Sequence, residues 1–147
     1  MNKEVKDIIQ SNKYLTLSTV NSDSSPHASP LFFVEIQGKF YWWSAKDSVH
    51  SANIRRTGQG YLTIFNSTTT EEDANGVYIL AKVIELGKPS NEILKAYNSK
   101  AESFNLEISN ASGDSPSRLY MATPNGIWVN SSTEIDGNYI DTREAVA

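Results

Sequence analysis

The sequence predicts an α+β protein built on a closed or nearly closed β-barrel. Three observations lead to this class: seven short stretches of strand-forming residues, only three short helical stretches, and no strict alternation of strands with helices. The 147 residues fit one domain, and 39% hydrophobic with 20% charged residues is the composition of a globular protein with a real core. We find no internal repeat and no linker, so we expect a single domain over residues 1–147.

The chain opens with a helix and a strand. Val5, Ile8 and Ile9 recur at the spacing of one apolar helix stripe. From Tyr14 to Val20 the period changes to two, which is typical of a half-buried strand. Asn21–Pro26 contains the Ser, Asn, Asp and Pro residues of a turn, so the strand ends there.

Two further extended stretches follow directly. His27–Gln37 reads as a second strand and Phe40–Ser44 as a third, with Gly38-Lys39 between them as the turn of a hairpin. Three strands in succession favour an antiparallel meander.

The middle of the chain returns to a helix and then to strands. Asp47 or Ser48 is a suitable cap for a helix that ends at Gly58–Gly60. Tyr61–Phe65 and Val77–Leu86 are rich in β-branched and aromatic residues, and the polar segment between them is expected to be a loop.

The last part predicts one more helix and two more strands. Pro89-Ser90 introduces a helical pattern, and Asn110–Pro116 is a loop by composition. Leu119–Ala122 and Ile127–Asn130 are predicted as separate strands joined by Thr123–Gly126.

Charge and composition exclude several classes of function. The net charge of −4 offers no general attraction to nucleic acid or to an anionic membrane surface. The absence of Cys and the presence of only two His argue against disulfides, thiolate chemistry and a bound metal. No apolar run is long enough for a signal peptide or a membrane span, so we expect a cytoplasmic protein.

The common enzyme signatures are also missing. Gly58-Gln59-Gly60 lacks the third glycine of a dinucleotide fingerprint and precedes a strand. Gly113-Asp114-Ser115 lies in a polar loop without the strand-to-helix turn of a hydrolase nucleophile.

One region, residues 27–56, is dense in groups that bind anions. A strand that begins His27-Ala28-Ser29-Pro30-Leu31 has small side chains, which leave its backbone open to a flat ligand. The residues around the next helix start supply hydroxyl, imidazole, amide and guanidinium groups: Ser44, Ser48, His50, Ser51, Asn53, Arg55 and Arg56. Such donors beside a helix N-terminus suit a phosphate, although composition alone slightly favours a capped surface helix, because Ser, Asn and Arg are ordinary residues at helix ends.

Taken in order, these pieces resemble a known family. Leu17-Ser18-Thr19-Val20, His27–Leu31, Trp43-Ser44 and Ser48–Ile54, followed by Tyr61–Phe65, are similar to the pyridoxamine 5'-phosphate oxidase-like proteins, the FMN-binding split barrels, and especially to their small bacterial general-stress and uncharacterised members. The resemblance implies a six- to seven-stranded antiparallel Greek-key split barrel with short flanking helices. It also implies a homodimer with FMN bound at the subunit interface.

The same resemblance implies roles for individual residues. The flavin ring is expected along His27, Ala28, Ser29, Pro30 and Leu31, mainly on backbone contacts. Trp43 and Ser44 are expected beside the ribityl chain, and Trp128 is expected to reach toward the partner's flavin. The residues expected at the phosphate are Ser48, Val49 and His50, supported by Asn53 or by Arg55 or Arg56. A core or interface tryptophan is the alternative interpretation of Trp128.

The implied function is an FMN-dependent oxidoreductase acting on an unidentified small molecule. Oxidation of the vitamin itself is not expected, because Asp136–Arg143 lacks the histidine of the family's C-terminal Arg/His segment. A reduced deazaflavin as electron carrier is a variant of the same reading. The alternative is a non-catalytic flavin, haem or small-molecule binding protein on the same barrel.

Overall fold

The computed structural model describes residues 1–146 and contains eight strands and three α-helices in that range. In chain order they are α1 (Lys3–Ser11), β1 (Tyr14–Val20), β2 (Pro26–Phe32), β3 (Val34–Ile36), β4 (Lys39–Ala45), α2 (Val49–Thr57), β5 (Gln59–Phe65), β6 (Gly76–Leu86), α3 (Asn91–Lys100), a 3-10 turn (Ile108–Ala111), β7 (Ser117–Ile135) and β8 (Asn138–Ala145).

All strands belong to one antiparallel sheet that curls into a split barrel. The strand order is β2-β1-β5-β6-β7-β4-β3, with β8 paired to β7 outside this path. The two end strands, β2 and β3, are joined in the chain by Phe33 alone. The sheet must therefore bring its two ends together, and the closure predicted from the sequence is confirmed.

Alternating side chains fill the barrel. Leu15 and Leu17 on β1, Leu62 and Ile64 on β5, and Trp42 on β4 are almost completely buried in one cluster. The predicted stripe of α1 adds Val5 and Ile9 to it, and α2 adds Ile54. A second cluster lies outside the barrel, where α3 covers β3, β4 and the start of β7.

The two small helices lie at opposite ends of the barrel. α2 leads directly into the first residue of β5, whereas α1 borders the loop that follows β5. Ser48 caps α2 by accepting a hydrogen bond from the backbone N–H of Ser51, and Gly58 ends it in the left-handed conformation at φ 67°. Ser48 is therefore the cap, and the sequence signals at both ends of this helix are confirmed.

Two details of the predicted strands need correction. His27–Gln37 is not one strand, because the chain turns at Phe33 to pass from one end of the sheet to the other. Thr123–Gly126 is not a connection but part of the continuous strand β7, where the register with β6 shifts between Leu80 and Ala81. A bulge of this kind accommodates Pro124, which has no N–H for the ladder.

The C-terminal strand β8 is absent from the sequence prediction. It pairs with the second half of β7 through a turn at Asp136 and Gly137, whose φ angles of 50° and 78° are typical of a type I′ hairpin. Every residue of β8 is exposed, so no alternation of apolar and polar residues marks it in the sequence. The Asp-Gly pair is the signal that identifies this hairpin.

No helix within residues 1–146 has the length and apolar character to cross a membrane.

Candidate functional site

The residues predicted to bind a ligand gather where the barrel is split. β2 is an end strand that makes ladder hydrogen bonds only to β1, so its other backbone edge is open. β4 and α2 both contact β2, and His50 in the first turn of α2 lies close enough to His27 on β2 for their charges to interact. We call the space between these three elements the cleft.

A cluster of hydroxyl groups and one imidazole occupies the start of α2. His50 Nε2 lies 3.0 Å from Ser44 Oγ and 3.2 Å from Ser48 Oγ. Ser48 Oγ lies 2.7 Å from Ser51 Oγ, which donates to the carbonyl of Ala45. β4 therefore supplies one hydroxyl and α2 the rest, all beside backbone N–H groups at a helix N-terminus.

The two histidines of the chain meet at this site. Burial lowers the pKa of His50 below its usual 6.5, and the charge of His27 across the cleft lowers that pKa further. His27 Nε2 lies 3.3 Å from Ser29 Oγ on its own strand. Both effects on the pKa of His50 favour the neutral form of its imidazole.

The predicted flavin-contacting stretch lies along β2. His27, Ser29 and Leu31 are half-buried, and Leu31 packs against the barrel core. Ala28 and Pro30 alternate with them and are exposed. The exposed face thus has little side-chain bulk, and the open edge leaves backbone groups available to a ligand.

Asn53 lies beneath the site and is only 3% exposed. Its Nδ2 donates to Thr19 Oγ1 at 3.0 Å and to Asn21 Oδ1 at 2.9 Å, and its Oδ1 accepts from Arg56 at 3.0 Å. Arg56 also donates to the carbonyl of Val20. The amide of Asn53 therefore links α2 to the end of β1 and to the turn between β1 and β2. Both its nitrogen and its oxygen already form hydrogen bonds within the chain.

Replacing Asn53 with Ala is expected to lower the free energy of unfolding by about 2 to 3 kcal/mol, since it leaves buried partners without hydrogen bonds. Chemical denaturation of the purified protein measures this loss. Asn53→Asp tests the same point, because a carboxylate keeps the size but cannot donate to Thr19 and Asn21. Ala52→Ser, at an exposed position of the same helix, is the matched control. A loss below about 0.5 kcal/mol for Asn53→Ala would show that the network is not structural.

Arg55 pairs with Glu85 on β6. Its guanidinium lies 3.4 Å from a carboxylate oxygen of Glu85, with both side chains partly exposed. Val49 is exposed in the first turn of α2 and offers its backbone to the site.

The two predicted tryptophans lie away from the hydroxyl cluster. Trp43 follows Trp42 on β4 and therefore faces outward, where it stacks on Phe104 at 5.0 Å and donates to the carbonyl of Asn110. Trp128 lies on β7, paired with Tyr78, and its ring covers Gly126, where an added Cβ would lie 2.4 Å from Trp128 Cη2. Sequence reasoning did not determine which face of the sheet either ring occupies.

Several residues that build the site were not predicted. Thr19 and Asn21 are joined to Asn53 from positions more than 30 residues away, and no local pattern marks such a pair. Within residues 1–146 no group of three or more histidine and acidic side chains is placed to hold a metal ion. Hydroxyls, an imidazole and helix N–H groups can bind an oxyanion, and the open strand edge can accommodate a flat ring.

Known structures share this fold. HutZ, the heme storage protein from Vibrio cholerae, is 21% identical, with a TM-score of 0.68 over 86% of this chain and 92% of that one. An F420 reductase is 10% identical, with a TM-score of 0.67 over 86% of this chain and 98% of that one. A heme binding protein from Mycobacterium smegmatis is 14% identical, with a TM-score of 0.69 over 95% of this chain and 56% of that one.

Sequence comparison gives the family. No curated protein matches this sequence. Residues 1–130 match the family model described as pyridoxamine 5'-phosphate oxidase, which covers most of the chain and includes the whole cleft between β2, β4 and α2. The chain therefore belongs to the pyridoxamine 5'-phosphate oxidase family and has the split-barrel fold that the resemblance implied.

Proposed function

We propose that this protein is an FMN-dependent oxidoreductase that acts on a small molecule. The observation that best supports this function is that the side chains of Ser44, Ser48 and His50 lie together at the start of α2. They are close to β2, which has an open edge. This arrangement offers an anion site and a flat surface next to each other, which are the two features that a flavin nucleotide needs.

The phosphate of FMN fits the residues at the start of α2. The hydroxyls of Ser44 and Ser48 each lie within hydrogen-bond distance of the His50 imidazole, so the three groups are close enough to turn toward a single oxyanion. Ser48 would then exchange its bond to the Ala45 carbonyl for one to that anion. The backbone N–H groups at Val49 and His50 belong to the first turn of α2, where the helix dipole favours negative charge. Asn53 and Arg56 act indirectly, by holding the turn between β1 and β2 beneath the site.

The ring of FMN fits the open edge of β2. The backbone groups of that edge are not used by the sheet, and the small side chains of Ala28 and Ser29 leave room beside them. FMN, when bound, supplies hydride or electron transfer. The chain binds its phosphate, orients the ring and excludes water from one side, so no acid or base is required of it.

We propose further that the protein works as a homodimer whose interface is the outer face of β1, β5 and β6, continued by Trp128 on β7. A groove of about 520 Å³ on this face is lined by Val20, Tyr61 and Leu80 among others, with Val20 51% and Leu80 37% exposed. Trp128 lies on the same face, two residues along β7 from Gly126, the partner of Leu80. An apolar surface of this kind favours burial against a second copy, and it would place Trp128 at the shared boundary.

The experiment that tests the proposed function is an absorbance titration. Purified protein is mixed with FMN, and reduced nicotinamide or reduced deazaflavin is then added without oxygen. A bound flavin spectrum that bleaches on addition of either donor is expected. A flavin that binds but stays oxidised with both donors would contradict the enzyme and leave a binding protein.

A second candidate is haem binding. The observation that favours it is the presence of both histidines at one cleft, because imidazole is a common axial ligand of haem iron. HutZ and the heme binding protein from Mycobacterium smegmatis have the same fold. Titration with haem in place of FMN separates the two: tight haem binding without FMN binding would replace our first proposal.

Protonation of His50 is expected to change FMN affinity and apoprotein stability in opposite directions. The pKa of His50 lies below its usual 6.5 in the free protein, and a bound phosphate would raise it. Binding then takes up a proton, so FMN affinity increases as the pH falls through the range between the bound and the free pKa. In the apoprotein the unfolded chain binds that proton more readily, so stability falls as the pH drops below about 6.5.

Fluorescence titration of FMN and thermal unfolding, both between pH 8 and pH 5, measure the two effects. His50→Gln should remove both pH dependences, while His27→Gln should weaken them by removing the neighbouring charge. Affinity that falls on acidification in the native protein would contradict a phosphate at His50.

A further inference from the structure

At the end of the barrel opposite the hydroxyl cluster, Lys100 lies between two small cavities. It is the last residue of α3, and each cavity has a volume of about 220 Å³. One cavity is lined by Tyr14, Phe32 and Tyr97 with the segment after α3, and the other by α1 and β3. Four residues of β2 lie between His27 and Phe32, so five steps of extended chain, about 16 Å, separate this cavity from the hydroxyl cluster.

Aromatic rings form one part of the wall of the first cavity, and polar groups of Lys13, Glu102 and Ser103 form another. The ring of Phe32 meets Tyr14 edge to face at 6.2 Å and Tyr97 edge to face at 5.1 Å. Phe104 closes another side and is held by its stack on Trp43. Rings fixed in this way select planar aromatic ligands, and the volume admits one ring with a small substituent.

The amine of Lys100 is placed among these rings without a counter-charge. Its Nζ lies 3.7 Å from the ring centre of Phe33 and 5.3 Å from that of Phe32, and it donates to the carbonyl of Phe33 at 2.5 Å. None of the carboxylates of residues 1–146 forms an ion pair with it. The nearby charges, Lys13 and Glu102, pair with each other at 2.8 Å.

This environment favours the uncharged amine. Burial lowers the pKa of Lys100 to about 8. The ring faces and the carbonyl favour the ammonium form, but they carry only partial charges and do not replace the lost water. With that pKa, roughly a tenth of the amine is uncharged at pH 7, which is far more than for an exposed lysine.

An uncharged lysine amine is a nucleophile toward carbonyl compounds. We propose that the cavity beside Lys100 binds a small aromatic aldehyde and that the Lys100 amine holds it as an imine. The nitrogen lone pair forms a C–N bond to the aldehyde carbon, and the carbonyl oxygen leaves as water with the two protons that the amine gives up. The step needs no oxidant or reductant and is reversed by water.

The proposal is tested by trapping the imine. The intact protein is incubated near neutral pH with benzaldehyde and cyanoborohydride, which reduces an imine to a stable secondary amine, and peptide mass spectrometry gives the label at each lysine. Label at Lys100 is expected to exceed that at Lys95, an exposed lysine on the same helix, by about ten-fold or more. Equal labelling of the two would overturn the proposal.

Variants and a second aldehyde separate the amine from the cavity. Lys100→Arg keeps a donor for the Phe33 carbonyl and should abolish the selective label, whereas Lys95→Arg should leave it unchanged. Tyr14→Ala removes an exposed wall of the cavity and should reduce the selectivity for Lys100. Propanal in place of benzaldehyde should label Lys100 much less selectively, and equal selectivity would overturn the aromatic ligand class.

Discussion

The double variant Ser48→Ala, His50→Ala is expected to bind FMN about a hundred-fold more weakly than the native protein. Ser48 Oγ and His50 Nε2 lie 3.2 Å apart at the start of α2 and would both donate to the phosphate. A hydrogen bond to a charged group contributes about 1.5 kcal/mol or more, so two of them correspond to about 3 kcal/mol. Fluorescence titration of FMN measures the change in dissociation constant.

The controls separate lost binding from lost structure. Ser48 also caps α2, so its removal should lower stability by about 1 kcal/mol while circular dichroism stays unchanged. Val49→Ala changes the exposed side chain between the two positions and should leave FMN affinity as it was. Ser48→Thr keeps the hydroxyl and should retain most of the affinity. An unchanged dissociation constant for the double variant would refute the assignment of the phosphate to this cluster.

The sequence predicts the strands that have one buried and one exposed face. It does not predict the limits of strands that lack this arrangement. β1 and β5 have inward Leu and Ile residues against outward Thr and Tyr residues, and their limits are close to the predicted ones. β8 is exposed on both faces and β7 passes through a bulge at Pro124, so neither shows a clean period of two. Burial produces the pattern, and a strand without a buried face lacks it.

The sequence predicts the part of the candidate site whose residues lie close together along the chain. A helix start with Ser48, His50 and Ser51 is a pattern within a few residues, and the structure brings Ser44 to it. The bonds of Asn53 to Thr19 and Asn21 join distant parts of the chain, so the sequence suggested a ligand contact where the structure shows a tie between α2 and a turn. The outward direction of Trp43 also follows from packing against Phe104, which only the fold reveals.

Leu80→Lys is expected to convert the proposed homodimer to a monomer and to weaken FMN binding at the same time. Leu80 is 37% exposed on the outer face of β6, beside Tyr61 on β5 and Gly126 on β7. A lysine there would bring its charge into an apolar interface, and a loss of about 3 kcal/mol would raise the dimer dissociation constant roughly a hundred-fold. Sedimentation measures the oligomeric state, and FMN titration at the same protein concentrations measures the coupling.

The matched control for this variant is Ile108→Lys, because Ile108 has the same exposed fraction, 37%, but lies on the 3-10 turn away from this face. It should leave both the oligomeric state and FMN affinity unchanged. A dimer that survives Leu80→Lys would move the interface to another surface. A monomer that keeps native FMN affinity would show that each cleft is complete within one chain, so that Trp128 contributes nothing to the partner's site. Loss of both properties together, with an unchanged fold by circular dichroism, is the result expected if the second copy completes the cofactor site.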